Sequence, residues 1–294
     1  MYIVIGANGY IGSYIVKNIL HATDDEVFAI GRHIDMRKQN RRVYAMKCDL
    51  TVQDDIERLN REMSHMHNTK VIYLAAYHHP DEVKRNPKTA WNMNVTVLSD
   101  VLNRLDHVDH LIYASTEMVY GAGSVEHKFV ETEELHPVNL YGVQKKVAEA
   151  VVSGHGFHVV RLPFVIGPGL LEDRRHFYDI IVENISNGQE IEMFEDAYKT
   201  ALDFDTLSEL IVRLCEKGAR ECPPILNIAG DRTYSKYEIG IEIAKKHHLD
   251  TRLIKPVRMN QKNGIFTETR AGCTLLDNSL LKKVLHLNEI RMKF

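Results

Sequence analysis

The sequence predicts an α/β fold built on a doubly wound parallel sheet, with a smaller second unit interwoven at its C-terminal side. Three observations predict it. Short apolar runs rich in β-branched residues alternate with helix-length segments from Tyr2 to Leu162. A turn spaced Gly-x-x-Gly-x-x-Gly joins the first of those runs to the first helix. After Pro163 the texture changes to turn-rich segments and shorter elements.

Tyr2–Ile5 reads as a buried parallel strand ending at Gly6, and Ile11, Ile15 and Ile19, with Val16 and Leu20 beside them, form one apolar helix face. Between them lie Gly6, Gly9 and Gly12. A tight reversal, an approach of pyrophosphate to bare backbone, and close helix–strand packing each favour a residue without Cβ, and the helix N-terminus then faces the anion. Three glycines alone would fit a turn in any α/β protein. Strand before and helix after make this a dinucleotide-binding turn.

Further strands are expected at Val27–Ile30, Val43–Met46, Val71–Ala76, Leu111–Ala114 and His158–Leu162. Thr51 with Asp54 looks like a helix start leading to Ile56, Leu59 and Met63. A long helix is expected over about 87–105, and another over about 140–152. Beyond Pro163 come a helix at Phe177–Ile185, a strand at Ile191–Phe194, a helix at Thr206–Cys215, a last sheet strand at Ile225–Ile228, and helices at Ser235–His248 and Asn278–Leu285. The division that follows assigns residues 1–163 plus about 201–230 to the dinucleotide-binding domain. It leaves about 164–200 plus 231–294 to a substrate-binding domain.

Composition narrows the partners. With 294 residues, 44% hydrophobic and 26% charged, the chain has ample material for a core. A net charge of −3 gives no footprint for nucleic acid. No apolar run approaches membrane-spanning length and no basic leader precedes the first strand, so a cytoplasmic protein is expected. Cys48, Cys215, Cys222 and Cys273 are scattered, which reads as reduced thiols. The sixteen histidines show no metal-binding spacing, and no metal is expected.

The end of the second strand bears on the cofactor. An NAD site places an acid there to accept from the ribose 2′-hydroxyl. This chain has Gly31 followed by Arg32, which suits a 2′-phosphate, and Arg37 and Lys38 add charge. A charge-assisted hydrogen bond of about 1.5–3 kcal/mol makes NADP the expected cofactor, with NAD possible. Arg32 as a merely solvated loop residue is the plainer alternative.

The chemistry is expected around the fifth strand. Ser115, Thr116 and Glu117 stand at its carboxyl end, where open α/β sheets bind ligands. Downstream, Tyr141 and Lys145 lie one helical turn apart on one face. An ammonium about 4 Å from the phenol, at an effective dielectric of about 20, would favour the phenolate by roughly 4 kcal/mol. That is about three pKa units, enough to bring a tyrosine towards working range. A lone Tyr-x-x-x-Lys means little; its register after the glycine turn and the Ser-Thr strand end gives it weight.

With these motifs on the page (GANGYIG, CDL, VIYLAAY, NMNV, ASTEMVYG, YGVQK, RLPFVIGPG and NIAG) the chain resembles the extended short-chain dehydrogenases/reductases that act on nucleotide sugars, over nearly its whole length. The resemblance implies a Rossmann-type NAD(P) domain with Thr116, Tyr141 and Lys145 as the catalytic set. It implies cofactor contacts from Gly6, Asn8, Gly9, Tyr10, Ile11, Gly12, Arg32, Asp49, Leu50, Ala75, Ala76, Tyr77, Ser115, Tyr141, Lys145 and Pro163. Substrate contacts would come from His78, Glu117, Met118, Phe164, Lys199 and Arg270, the last two approaching the diphosphate.

Departures from the family pattern choose among branches. Dehydratases carry two acids after the catalytic Thr, whereas Glu117 is followed here by Met118. The epimerising Cys of GDP-fucose synthases would also fall at Met118. Phe164 stands where dTDP-4-dehydrorhamnose reductases have an aromatic residue. The segment KTALDF matches the usual substrate-binding pattern poorly. The main reading is NADPH-dependent reduction of a nucleotide-linked 4-keto-6-deoxyhexose. The alternatives are a 4-epimerase with tightly held NAD, and a non-catalytic dinucleotide-binding regulatory subunit. The resemblance further implies a homodimer through the helices at 91–105 and 140–152, with Val97, Val101 and Leu105 as a stripe that is either core or interface.

Overall fold

The computed structural model describes residues 1–34, 40–105, 108–171, 175–261 and 264–293. Its strands are β1 (Tyr2–Ile5), β2 (Val27–Gly31), β3 (Val43–Lys47), β4 (Lys70–Tyr73), β5 (His110–Thr116), β6 (Lys128–Phe129), β7 (His158–Leu162), β8 (Val165–Ile166), β9 (Ile191–Phe194), β10 (Tyr198–Lys199), β11 (Leu202–Asp203), β12 (Ile225–Asn227), β13 (Tyr234–Ser235), β14 (Ile254–Val257) and β15 (Cys273–Leu276). Its α-helices are α1 (Tyr10–Ala22), α2 (Gln53–Met63), α3 (Pro80–Arg85), α4 (Pro87–Trp91), α5 (Val97–Leu102), α6 (Leu140–Gly154), α7 (Phe177–Ser186), α8 (Phe204–Lys217), α9 (Lys236–Lys246) and α10 (Ser279–Leu285).

Seven strands form one sheet in the order β12-β7-β5-β4-β1-β2-β3, every neighbouring pair parallel. The chain winds outward from β1 in one direction and from β4 in the other. The carboxyl ends of β1 and β4 therefore diverge at a crevice, the switch point where such sheets bind ligands. Period-two alternation supplies both faces: Tyr2 and Val4 join the core under α1, α8 and α10, while Ile3 and Ile5 join the core under α2, α5 and α6. The expected doubly wound parallel sheet is the observed one.

A second sheet of four short strands, β13-β10-β15-β6, and the parallel pairs β11–β8 and β14–β9 lie outside this layer. A separate core joins Ile181, Ile185, Met193, Ile239, Ile243 and Ile254 from α7, β9, α9 and β14. Two segments cross the division expected from sequence. Leu281 and Leu285 of α10 lie in the core over the large sheet, and β6, from the first segment, pairs with β15.

Several elements differ from expectation for local reasons. β4 ends at Tyr73, because Leu74 and its successors turn out to line the crevice. The long helix expected from residue 87 is α4, a π-turn at Asn92–Thr96, and α5, preceded by the unforeseen α3. The π-turn aims Asn94 inwards, where its Oδ1 accepts from the Tyr77 N–H (2.7 Å) and its Nδ2 donates to the Tyr77 carbonyl and to Gln144 Oε1. Thr51 does not cap α2. Its N–H and hydroxyl both donate to Asp49 Oδ1, and Val52 takes the cap position without a side-chain bond. Val97, Val101 and Leu105 are buried in the core under α2 and α6, so that stripe is not an interface.

Beneath β5 runs a buried polar network. Arg161 on β7 makes a forked pair with Glu149 on α6, with the two side chains 3% and 5% exposed, and Glu149 also accepts from the Ser115 hydroxyl. Arg161 donates onward to the Tyr120 hydroxyl, which reaches Asn227 Oδ1 on β12. This network ties three neighbouring strands and α6 into one rigid frame.

Candidate active site

The crevice at the switch point has a volume of about 440 Å³ and is lined from the ends of β1, β2, β3 and β4. Its floor is the glycine turn. Gly6 has φ +93°, a conformation L side chains rarely adopt. A Cβ on Gly12 would stand 2.2 Å from the Gly6 carbonyl oxygen, so only a glycine lets α1 sit this close to the turn. Gly9 caps α1 without any side-chain bond. The first turn therefore points backbone N–H groups at the crevice, the arrangement that holds a pyrophosphate. These features fit a dinucleotide.

Gly6, Asn8, Gly9, Arg32, Asp49, Leu50, Ala75, Ala76 and Tyr77, read from sequence as cofactor contacts, line the crevice, together with His78, read as a substrate contact. Gly31 is explained by its neighbour. A Cβ there would meet Asn8 Oδ1 at 2.5 Å, and Asn8 is held by donating to the His33 carbonyl (3.0 Å). An acid at this strand end would compete with Asn8 for the same space. Arg32 is exposed on the rim. Asp49 is held below the usual carboxylate range, first by the backbone and hydroxyl bonds from Thr51, with Arg32 and His33 adding to it. Arg37 and Lys38 lie outside the described residues. His33, Cys48, Thr51, Leu74, His79, Glu82 and Met93 also line the crevice and were not singled out from sequence. Three of them had a signal, each inside a quoted motif: Cys48 in CDL, Leu74 in VIYLAAY and Met93 in NMNV.

Of the expected cofactor residues, Tyr10, Ile11, Gly12, Ser115, Tyr141, Lys145 and Pro163 do not line this crevice. The Tyr10 ring packs on Phe204 and His176, and its hydroxyl donates to the Arg175 carbonyl. Ile11 packs on the core under α1, and Gly12 acts through its closeness to the Gly6 carbonyl. Ser115 is buried with its hydroxyl committed to Glu149, which removes it from a ligand's reach.

The strand end and α6 are locked together. Asn139 caps α6 by accepting from the Gly142 N–H (2.9 Å). A Cβ on Gly142 would stand 2.6 Å from the Met118 carbonyl oxygen, so the helix rests directly on the segment after Thr116. Thr116 Oγ1 accepts from the Met118 N–H (3.3 Å), leaving its proton available to a ligand oxygen. Tyr141 is buried among Val83, Ala90, Tyr77 and Met118, and burial holds its phenol above the ordinary value. Pro163 is buried at the end of β7, and Phe164 is half-buried beside it.

Lys145 corrects the sequence argument. Its Nζ donates to the Tyr113 hydroxyl and the Ala114 carbonyl, each at 2.6 Å, and burial lowers it to about 7. The expected depression of Tyr141 by a neighbouring ammonium is absent: burial alone raises the phenol, and the Lys145 ammonium is turned to Tyr113 and the Ala114 carbonyl. Lys199 and Arg270 are likewise engaged by carboxylates rather than free for a diphosphate. Lys199 pairs with Glu117 at 2.8 Å, and Arg270 with Asp81 at 2.9 Å. Asp81 also accepts from Thr267 and Glu268, so α3 and the segment at 267–270 form one clasp beside the crevice.

Among the described residues, one group could hold a metal by proximity: His110, His158 and Cys222, with ligand atoms within 4.8 Å of one another. It lies where β5, β7 and β12 begin, at the sheet end opposite the crevice, so it has no part in the site described above. No helix among the described residues is long and apolar enough to cross a membrane.

A doubly wound sheet with a glycine-floored crevice, Thr116 at the end of β5, and Tyr141 and Lys145 on α6 defines a dinucleotide-binding protein of the extended short-chain dehydrogenase/reductase class. Within that class, the chain belongs to the RmlD substrate binding domain family, whose profile matches residues 1–290. A probable low-salt glycan biosynthesis reductase of Haloferax volcanii is 23% identical over 281 residues, covering 94% of this chain and 89% of that protein. Two solved structures share the fold. UDP-glucuronic acid 4-epimerase from Bacillus cereus, with a UDP-fluorosugar acid and NAD, superposes with a TM-score of 0.82 at 19% identity, covering 99% and 95% of the two chains. The dTDP-4-dehydrorhamnose reductase from Bacillus anthracis, with NADP, gives 0.77 at 16% identity, covering 98% and 94%.

The Lys145 shift has a consequence for stability. Folding lowers this group from the ordinary lysine value to about 7, so between those two pH values the unfolded chain binds more protons. The group therefore makes stability rise with pH across that window and has no slope below it. Denaturant melts at pH 6, 8 and 10 should show wild type gaining on Lys145→Met between pH 7 and 10. Parallel pH profiles for the two proteins would refute the assignment.

Proposed function

We propose that this chain is an NADP(H)-dependent oxidoreductase that reduces the C4 carbonyl of a nucleotide-linked hexose, with the 4-keto-6-deoxyhexoses as the first substrates to test. The observation that carries the reading is the pairing of a dinucleotide crevice with Thr116 and Tyr141 at the adjoining strand end. When bound, the reduced nicotinamide supplies the hydride. Tyr141 donates its proton to the carbonyl oxygen, and burial keeps it a phenol at neutral pH, the form a proton donor needs. The Thr116 hydroxyl donates to the same oxygen and orients it. Lys145 holds the strand end through the Ala114 carbonyl and contributes a hydrogen bond towards the cofactor ribose. Pro163 borders the nicotinamide, and Asp49, Leu50, Ala75, Ala76 and Tyr77 enclose the adenosine half.

A 4-epimerase with tightly held NAD is the second reading. It is favoured by the similarity to an NAD-bound epimerase, and it requires Tyr141 to act as a base as well as an acid. The intact Thr–Tyr–Lys set weighs against a purely regulatory subunit. All four cysteines are free, which supports a reducing, cytoplasmic setting. Trp91 and Val143 are exposed on α4 and α6 around a shallow hollow that includes Pro87 and Leu140, and they support a homodimer through these helices. A monomer mass in light scattering at micromolar concentration would exclude the dimer.

Arg32→Ala should weaken NADPH by about 2 kcal/mol and leave NADH nearly unchanged, measured by calorimetry. Equal losses for both cofactors would show that Arg32 does not read the 2′-phosphate.

Tyr141→Phe should fold and bind NADPH while turnover falls by roughly 10²–10⁴, the loss of a general acid. Thr116→Val should lose less, because one hydrogen bond is removed. NADPH oxidation with dTDP- and GDP-linked 4-keto-6-deoxyhexoses provides the measurement. Unchanged turnover in Tyr141→Phe would overturn the role given to Tyr141.

A further inference from the structure

Two lysines and one carboxylate meet on the substrate side of the catalytic strand end. β13 pairs antiparallel with β10, setting Lys199 opposite Tyr234, and α9 begins directly after β13 with Lys236. Lys199 is already occupied by Glu117 Oε1, and both residues are buried. Lys236 is half-buried with its ammonium against the Phe164 ring, and among the described residues it has no carboxylate partner of its own. Glu117 Oε2 is buried and has no hydrogen-bond partner among the described residues, although the Glu117 side chain is only 4% exposed.

This cluster sets two lysines against one carboxylate and leaves one acceptor unsatisfied. Each is unfavourable in a poorly solvated place unless a ligand supplies the counterpart. Position suggests which part of a ligand that is. Glu117 follows Thr116 at the end of β5, and Phe164 follows Pro163 at the end of β7. These strand ends border the reacting carbonyl, so the cluster faces the sugar ring. A sugar ring offers hydroxyl donors for Glu117 Oε2, and an acidic ring substituent would meet Lys236.

We propose that Lys236 recognises a carboxylate carried on the sugar of the nucleotide-linked substrate, a hexuronate-type acid, while Glu117 Oε2 accepts from a neighbouring sugar hydroxyl. This rests on the reading of Thr116 and Tyr141 as the place of the sugar's C4, and it sets an acid in place of the 6-methyl group that the 6-deoxyhexoses carry.

The surroundings support a proton signature. Burial and then Lys199 hold Lys236 well below the ordinary lysine value, against the opposing pull of Glu117. Also close are His176, ahead of α7, which burial lowers to about 4, and Cys273 on β15, a thiol that burial raises. A carboxylate arriving beside Lys236 would favour its protonated form, with the proton taken from solvent.

The test is calorimetric titration of the full-length protein, saturated with NADP, using UDP-glucuronate, UDP-glucose and UDP. The acid sugar is expected to bind about tenfold more tightly than the neutral one, the scale of one charge-assisted hydrogen bond. Wherever Lys236 is partly unprotonated, this binding should take up protons, read from the dependence of the heat on buffer. Lys236→Met should abolish the preference and the uptake while leaving UDP affinity unchanged, and Lys236→Arg should retain the preference. Equal affinities for the two sugars in wild type would overturn the proposal. So would a Lys236→Met loss of the same size for UDP as for UDP-glucuronate, since the ammonium would then read the diphosphate. If none of the three nucleotides binds while NADP does, the nucleotide-sugar reading itself falls. Loss of the acid–neutral difference alone removes only the role of Lys236.

Discussion

The contact on which the site depends is the seating of α1 on the turn beneath it. The Gly6 carbonyl occupies the space where a Gly12 side chain would begin, and Gly6 itself turns with positive φ. Because the helix comes this close, its uncapped first turn opens straight into the crevice between the diverging strands. A larger residue at either position would push α1 off β1 and move those N–H groups away from any pyrophosphate. The cofactor-facing geometry therefore follows from two missing Cβ atoms and the reversal of strand order.

Rigidity around the crevice comes from buried polar groups that satisfy one another. Glu149 and Arg161 bind the start of the catalytic segment to the neighbouring strand and to α6, and Tyr120 and Asn227 extend the frame to the outer strand. Asn94 performs the same task for Tyr77 in the crevice wall by closing both backbone hydrogen bonds of that residue. In a medium of low dielectric such networks resist distortion, because breaking one bond strands a buried charge or dipole. The loops that meet a ligand are held by residues that do not touch it.

Three lysines show how environment divides one side-chain chemistry among tasks. Lys145 is fully enclosed and gives two of its three donors to Tyr113 and the Ala114 carbonyl, so it acts first as a strut. Lys199 is neutralised by Glu117. Lys236 has an aromatic face and a neighbouring cation but no acid of its own. The same ammonium is thus structural, compensated or open to a ligand according to what the fold sets beside it.

The sequence by itself determined the sheet, the glycine turn and half of the crevice lining. These depend on local properties: period-two and period-four apolar spacing, glycines at fixed offsets, and short motifs such as NMNV and CDL whose residues act within a few positions of one another. Tertiary structure decided what depends on distant partners. The pairing of Lys199 with Glu117, of Arg270 with Asp81, and of Ser115 with Glu149 joins residues far apart in the chain, and spacing carries no record of such contacts. The same holds for Lys145 and Tyr141, whose proximity along one helix face promised an electrostatic effect that burial overrides. Lys236 had no sequence signal at all, since its surroundings exist only once β13 has paired with β10. Short-range steric rules are written in the chain, whereas the balance of desolvation and charge is set only when the layers close.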